Sequence, residues 1–170
     1  MHPCLLTSTA LEAGSCASTQ LPEYPAMSPP SAPPQEPMLR FRNPAGLYDP
    51  VPNGYSHLAI VRAPAQLILV AGQGGEDANG QLPADFAGQV RQALQNLQTA
   101  LRAAGAGLGD VARITVLIVD HSEERLHQFG QAWQSLLGDL PPPPCTLIPV
   151  PRLALDGMLF EIEATAATSP

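Results

Sequence analysis

The sequence is poor in cysteine, in basic side chains and in long apolar runs, and each shortage excludes a class of protein. Its three cysteines lie at positions 4, 16 and 145, so neither a disulfide framework nor a CxxC metal or redox motif can be drawn. Lysine and arginine number 8 against 15 acidic residues, and the net charge of −7 opposes attraction to nucleic-acid phosphates. No stretch approaches the roughly 18 consecutive apolar residues of a membrane span. We therefore expect neither nucleic acid nor a membrane among its partners.

The first 42 residues differ in composition from the rest of the chain. They contain eight prolines among Ser, Thr, Ala and Gln, and no apolar run keeps a helix or strand period. Such a segment buries too little apolar surface to offset the entropy of ordering it. Residues 1–42 are therefore predicted to be a disordered leader, and residues 43–170 a single domain. A start codon assigned upstream of Met38 is an alternative explanation. Because no export signal is recognisable, we expect the protein in the cytoplasm.

Two apolar runs open the folded part. Residues 55–62 and 66–71 are β-compatible and flank the turn-forming Ala63-Pro64-Ala65, which predicts a β-hairpin. The second run is apolar throughout, which is typical of a strand covered on both faces. A polar loop ending in the turn-forming pair Asn79-Gly80 follows it.

Two helices and three further strands complete the pattern. Apolar residues at steps of three and four predict a helix from Phe86 to Leu101, with Asp85 as N-cap and Gly105 as C-cap. A strand is predicted at 111–119, and a second helix begins after Ser122 and is stopped by the prolines at 141–144. Strands at about 146–150 and 158–166 follow. The order β-β-α-β-α-β-β predicts an α+β fold with two helices packed on a mixed sheet.

Short motifs across residues 54–166 resemble those of the RidA (YjgF-type) imine deaminase family. The resemblance rests on their order and spacing together. The motifs are Gly54-Tyr55-Ser56, Val70-Ala71-Gly72-Gln73, residues 89–97, Ala103-Ala104-Gly105, Asp110-Val111, Ile114-Thr115-Val116, Val150-Pro151-Arg152-Leu153 and Glu161-Ile162-Glu163-Ala164.

The resemblance implies a chorismate-mutase-like fold and a homotrimer with a small-molecule pocket in each cleft between subunits. It also implies hydrolysis of a reactive enamine or imine to a carbonyl compound and ammonia, with no metal and no cofactor. Such chemistry requires a held substrate, an aligned water and stabilisation of the developing charge.

The resemblance also assigns roles to individual residues. Glu161 matches the carboxylate that positions water, Gly72 the glycine whose N–H faces the substrate, and Tyr55 an aromatic lining residue. The family's substrate-binding arginine lies seven positions before Arg152, where this chain has Cys145. A thiol cannot replace a guanidinium that binds a carboxylate through two hydrogen bonds. The sequence therefore leaves the family resemblance intact but predicts that the ligand is not a simple carboxylate.

Several alternatives remain open at these positions. His57 lies two residues after Tyr55 and shares its strand face, which makes it a candidate substrate-binding residue or a rim histidine. Cys145 is a nucleophile with a histidine base or, as we favour, a small buried side chain. By strand parity Phe160 and Ile162 face the core, so Glu161 and Glu163 share the other, solvated face. Arg152 is expected to point away from the pocket by the same parity.

Two other functions compete with hydrolytic deamination. The same intersubunit clefts would bind a small metabolite without turning it over if the arginine is essential. A ribonuclease or translation inhibitor is the third hypothesis, against which the acidic balance weighs. No metal is expected, because His121 and His127 are six residues apart, a spacing that fits no common metal motif.

Overall fold

The structure is a computed structural model that describes residues 36–170. Within this range the chain forms six strands and two helices. In chain order they are β1 (Leu39–Arg42), β2 (Leu58–Val61), β3 (Gln66–Gly74), α1 (Phe86–Ala103), β4 (Val111–Val119), α2 (Glu123–Leu137), β5 (Cys145–Val150) and β6 (Phe160–Thr168). Single 3-10 turns at Val51–Asn53 and Leu108–Asp110 precede β2 and β4.

The central sheet has four strands in the order β3-β6-β4-β5. Strand β6 pairs antiparallel with β3 and with β4, whereas β4 and β5 are parallel. Both helices pack on one face of this mixed sheet, and the prediction of an α+β fold is confirmed. We call the other face, which points away from the helices, the open face.

The core lies between the helices and the sheet. Every second residue of β4 contributes to it, because alternate side chains of a strand point to the same face. The fully buried members are Val90, Leu97, Leu101, Ile114, Val116, Ile118, Phe160 and Ile162, and Phe129 and Trp133 of α2 pack on them. The aromatic residues of α2 are therefore structural.

Both helices begin at the predicted N-cap residues. The Asp85 carboxylate accepts a hydrogen bond from the Gly88 N–H at 2.8 Å, and the Ser122 hydroxyl accepts one from the Arg125 N–H at 3.2 Å. Each cap satisfies an amide that has no partner inside the helix. At the other end of α1 the C-cap is Ala104 and not the predicted Gly105, which follows it with a φ of +74°, the left-handed conformation that glycine tolerates. Neither helix of residues 36–170 is long and apolar enough to cross a membrane.

Three details of the strand prediction are wrong. Strand β2 does not form a hairpin with β3: it pairs antiparallel with β1, while β3 pairs with β6. Strand β3 is not covered on both faces within one chain, since Leu67 and Leu69 are 61% and 78% exposed. The predicted leader also extends too far, because its last four residues form β1. Residues 1–35 lie outside the described residues.

A common physical cause explains these differences. Pairing between β1 and β2, and between β3 and β6, joins segments that are distant in sequence, whereas the hairpin prediction used only neighbouring runs. Leu39 and Phe41 alternate with arginines, a period-two pattern that is compatible with a strand once β2 supplies a partner. Local composition in a proline-rich segment does not reveal that partner.

Candidate functional site

Glu161 and Gly72 meet at the open face of the sheet. Phe160 and Ile162 point into the core, so Glu161 between them points away from it. A β-carbon built on Gly72 would lie 2.2 Å from Glu161 Oε1 and 2.6 Å from its Cδ. The carboxylate therefore rests against the main chain of Gly72, where only a glycine leaves room for it.

An irregularity in β3 creates this contact. Between Val70 and Gln73 the register with β6 shifts, so that three steps along β3 match two steps along β6. Such a bulge inserts an extra residue and redirects the local backbone. Gly72 lies within this bulge, and its main chain is next to the Glu161 carboxylate.

Two further carboxylates surround Glu161. Glu163 follows on the same strand face, and Glu76 extends from the loop after β3 with its Oε2 placed 2.2 Å from a β-carbon built on Gly74. Burial raises the pKa of Glu161, and repulsion from Glu76 and then Glu163 raises it further. The three residues form what we call the acidic group. Their mutual repulsion favours a proton or a cation at Glu161.

Helix α1 holds the loop that carries Glu76. The Asn96 amide donates to the carbonyl oxygens of Gly74 at 3.0 Å and Glu76 at 2.8 Å. Gln89, which is 1% exposed, donates to the carbonyls of Pro83 and Gly157 and accepts from the Leu159 N–H at 2.8 Å. These amides tie the loop after β3 and the start of β6 to one helix.

Sequence reasoning did not assign these supporting amides a role. Gln89 falls three residues after Phe86 and four before Ala93, inside the apolar stripe of α1. A polar side chain in a buried stripe must find hydrogen-bond partners. A polar residue at a buried position of the helix therefore indicates, already in the sequence, that Gln89 has a structural role.

A second group of predicted residues lies in an aromatic cluster formed by Tyr48, Tyr55 and His57. The ring centres of His57 lie 5.2 Å from Tyr48 and 5.8 Å from Tyr55, and the tyrosines are 6.4 Å apart, all edge to face. His57 Nε2 contacts the Tyr48 carbonyl at 2.8 Å. A carbonyl only accepts hydrogen bonds, so Nε2 carries the proton and Nδ1 is the acceptor of the neutral ring. Tyr48 was not predicted as a site residue.

The aromatic cluster is attached to the segment before β5. Ser56, between Tyr55 and His57, donates its hydroxyl to the Pro142 carbonyl at 2.7 Å and its N–H to the Pro143 carbonyl at 3.4 Å. The His57 N–H donates to Asn43 Oδ1 at 2.9 Å. Because Pro143 precedes Cys145 by only two residues, the hydrogen bonds of Ser56 place the aromatic cluster at the end of the sheet where β5 begins.

Cys145 itself faces the helices. It aligns with Ile114 of β4, which points into the core, and its side chain packs against that core. Burial raises the pKa of the Cys145 thiol to about 11. A thiol with such a pKa is almost entirely protonated at neutral pH and makes a poor nucleophile. Arg152, after the end of β5, is exposed and pairs with Asp156 at 3.1 Å.

One chain does not bring all the predicted residues together. Glu161 aligns with Leu117, and Leu117 aligns with Ile148, three residues beyond Cys145. With a rise of about 3.3 Å per residue and strands about 4.8 Å apart, the Cα atoms of Cys145 and Glu161 are separated by roughly 14 Å. The two side chains also point to opposite faces. The candidate site is thus two half-sites, Gly72 with Glu161 and the aromatic cluster with the start of β5.

Other features of the described residues do not add to this site. A cavity of about 270 Å³ lies between the first turns of α1 and α2 and is lined by none of the predicted site residues. Within residues 36–170, no group of three or more His, Cys, Asp or Glu side chains is arranged to hold a metal ion.

Comparison with known proteins identifies the family. Residues 49–168 match the family described as Endoribonuclease L-PSP. The chain is 35% identical over 95 residues to the Escherichia coli K12 protein named putative reactive intermediate deaminase TdcF. The aligned stretch covers 53% of this chain and 69% of that protein. It is also 44% identical over 41 residues to the E. coli K12 2-iminobutanoate/2-iminopropanoate deaminase, covering 24% of this chain and 32% of that protein.

A solved structure supports the same conclusion. The chain resembles YyfB of Yersinia pestis, a member of the Rid protein family of unknown function, with a TM-score of 0.73 and 35% identity over 77% of this chain and 99% of that one. The fold and the matched span define a Rid-type α+β domain. The chain belongs to the RidA (YjgF) family, as the sequence motifs predict.

The electrostatics of the acidic group predict a pH-dependent stability. The pKa of Glu161 is raised in the folded chain, so folded protein binds more protons than unfolded protein above the ordinary carboxyl range, and stability falls as pH rises through that interval. Glu161→Gln removes the titrating carboxyl group and, with it, this loss of stability at higher pH. We expect its melting temperature to equal or exceed that of the wild type at pH 7, with a smaller difference near pH 4.

Thermal melts between pH 4 and pH 8 measure this effect. Glu123→Gln is a suitable control, because Glu123 lies in the first turn of α2, where a negative charge is favourable. That variant should melt below the wild type at pH 7. A Glu161→Gln protein that is less stable at pH 7, with no difference at pH 4, would contradict the proposed repulsion.

The burial of Cys145 predicts an unreactive thiol. In a variant with Cys4→Ser and Cys16→Ser, Cys145 is the remaining cysteine. With its pKa near 11, alkylation of the folded protein at pH 7 should be more than about 100-fold slower than that of a free cysteine. Iodoacetamide labelling followed by mass spectrometry gives the rate, and the same protein in urea is the control. Equal rates in the folded and unfolded protein would exclude the burial described above.

Proposed function

We propose that this protein hydrolyses a reactive enamine or imine to a carbonyl compound and ammonia. The observation that carries the proposal is the contact between the Glu161 carboxylate and the main chain of Gly72. A raised pKa makes the Glu161 carboxylate a stronger base, which suits a group that accepts a proton and then returns it. In this mechanism Glu161 orients a water towards the imine carbon, and the Gly72 N–H is the donor to the substrate.

We further propose that the two half-sites meet between neighbouring copies in a homotrimer. The separation of the half-sites within one chain supports this arrangement. So does the open face, on which Leu67 and Leu69 are exposed, since exposed apolar side chains in a group favour contact with another protein surface. Each cleft would then combine Gly72 and Glu161 of one copy with Tyr55, His57 and the start of β5 of the next. Action in the cytoplasm and without a cofactor stays a prediction from the sequence.

The relatives' names support deamination over the two competing functions. Both curated relatives described above are named as deaminases, although the stretches of similarity are partial. The family's description as an endoribonuclease favours the ribonuclease hypothesis. However, a net charge of −7 with 8 basic residues opposes binding of an RNA backbone.

The test compares catalysis by four proteins. Oxidases generate imines in situ from alanine and from simple amines, and ammonia release is followed with the wild type, Glu161→Gln, Gly72→Ala and Gly130→Ala. A β-carbon on Gly72 would displace the carboxylate, whereas one on Gly130 would meet nothing within 4 Å. We expect the first two variants to lose about 10²-fold or more of the rate enhancement, and Gly130→Ala to retain it.

The non-catalytic alternative gives a different result. If the protein only binds a metabolite, the wild type will match the rate without protein for every imine, and Glu161→Gln will change nothing. A wild type that is active and a Glu161→Gln variant that is equally active would place the chemistry at another site.

A further inference from the structure

The substrate class of this site follows from the charges around it, on the assumption that the proposed function holds. We infer that the protein acts on a protonated imine, an iminium cation, that carries no carboxylate. This conclusion rests on the acidic group, on the positions of the arginines in the described part of the chain and on the aromatic cluster.

The acidic group makes the Glu161 half-site unfavourable for an anion. Glu161, Glu76 and Glu163 lie close enough to repel one another, and two of the three carboxylates rest against glycines of β3. A carboxylate brought beside Glu161 would add a fourth negative group, and the four-stranded sheet has no arginine beside Glu161 to bind it. An iminium nitrogen, in contrast, is attracted by all three carboxylates.

Arg113 lines a small cavity together with Glu163, but no arginine of the four-stranded sheet lies beside Glu161. The chain has no lysine, and Arg113 is the only arginine of the four-stranded sheet. It aligns with Thr165, four residues along β6 from Glu161, or about 13 Å away. Its guanidinium contacts the Thr115 hydroxyl at 3.4 Å.

Two arginines near the ends of β4 and β5 are engaged elsewhere. Arg125 donates to the Val119 carbonyl and stacks over the Phe86 ring, on the helix side of the sheet. Arg152 pairs with Asp156. Both guanidinium groups therefore already have partners within the chain.

The aromatic cluster builds the other half-site from two tyrosine rings and one histidine ring. At the start of β5, Cys145 is partly buried against the core, and the cluster of Tyr48, Tyr55 and His57 is tied through Ser56 to the prolines just before it. Tyrosine faces attract apolar groups and cations. A cleft made of this cluster and the acidic group therefore suits an iminium with an apolar or aromatic substituent.

The reaction on such a substrate is a simple hydrolysis. The oxygen of water bonds to the imine carbon as Glu161 accepts a proton, and the resulting tetrahedral carbinolamine receives that proton on nitrogen. The carbon–nitrogen bond then breaks and its electron pair leaves with nitrogen as ammonia, while the hydroxyl proton passes through Glu161 to that ammonia and the carbonyl forms. In balance, an iminium and one water give one aldehyde or ketone and one ammonium ion, with no change of oxidation state.

A matched pair of substrates tests the inference. A flavin amine oxidase acting on phenylethylamine and an amino-acid oxidase acting on phenylalanine generate imines that differ by one carboxylate. The initial rate at which semicarbazide captures each imine is measured with and without the full-length protein, since hydrolysis by the protein competes with capture. We expect kcat/KM to be at least about tenfold higher for the imine without the carboxylate.

A charge variant separates electrostatic selection from simple fit. Glu163→Gln removes one carboxylate of the acidic group and keeps the size of the side chain. It should narrow the preference between the two imines, chiefly through a higher KM for the iminium. Glu123→Gln, on the first turn of α2, should leave the preference unchanged.

The possible outcomes are distinct. Preference for the iminium that narrows in Glu163→Gln supports the inference. Equal or faster hydrolysis of the carboxylate-bearing imine, abolished in Glu161→Gln, overturns the substrate class while the proposed function stands. If neither imine is hydrolysed faster than in the absence of protein, the proposed function fails and the inference falls with it.

Discussion

The contact between the Glu161 carboxylate and the main chain of Gly72 is the constraint on which the rest of the candidate site depends. It requires a position without a side chain, a strand irregularity that presents this position, and core neighbours that hold Glu161 outward. Phe160 and Ile162 provide the last of these through burial. Because a carboxylate so placed is partly desolvated and near two other acids, its protonation becomes easier. Packing therefore sets the chemistry of the site.

The supporting structure explains why the site tolerates this repulsion. Asn96 and Gln89 of α1 hold the loop after β3 and the start of β6 through main-chain hydrogen bonds. A buried amide that satisfies several main-chain groups fixes their relative positions, and its loss would leave polar atoms without partners. The carboxylates are thus held together by elements whose stability comes from the core.

Much of the fold was predictable from the sequence, and the reason is local. The periodicity of α1, the caps Asp85 and Ser122, and the alternation along β4 each depend on residues close in sequence. Strand pairing does not: the hairpin prediction was wrong because β2 pairs with β1 and β3 with β6. The prediction that Gly72 and Glu161 act at one site came from the family resemblance, because no rule of local spacing connects two residues that are 89 positions apart. The burial of Cys145 was the favoured prediction, whereas the aromatic partner Tyr48 required the structure.

The central claim is that two chains complete one site, and subunit complementation tests it most directly. Chains with Glu161→Gln are co-expressed with chains that carry Tyr55→Ala and His57→Ala, and the mixed oligomers are purified through two different tags. If neighbouring copies each supply one half-site, every mixed cyclic trimer has both halves intact in one of its three clefts, whichever chain is present twice. We predict that the mixed oligomers regain imine hydrolysis that each variant lacks alone. Mixed oligomers with no more activity than either parent variant would contradict the account.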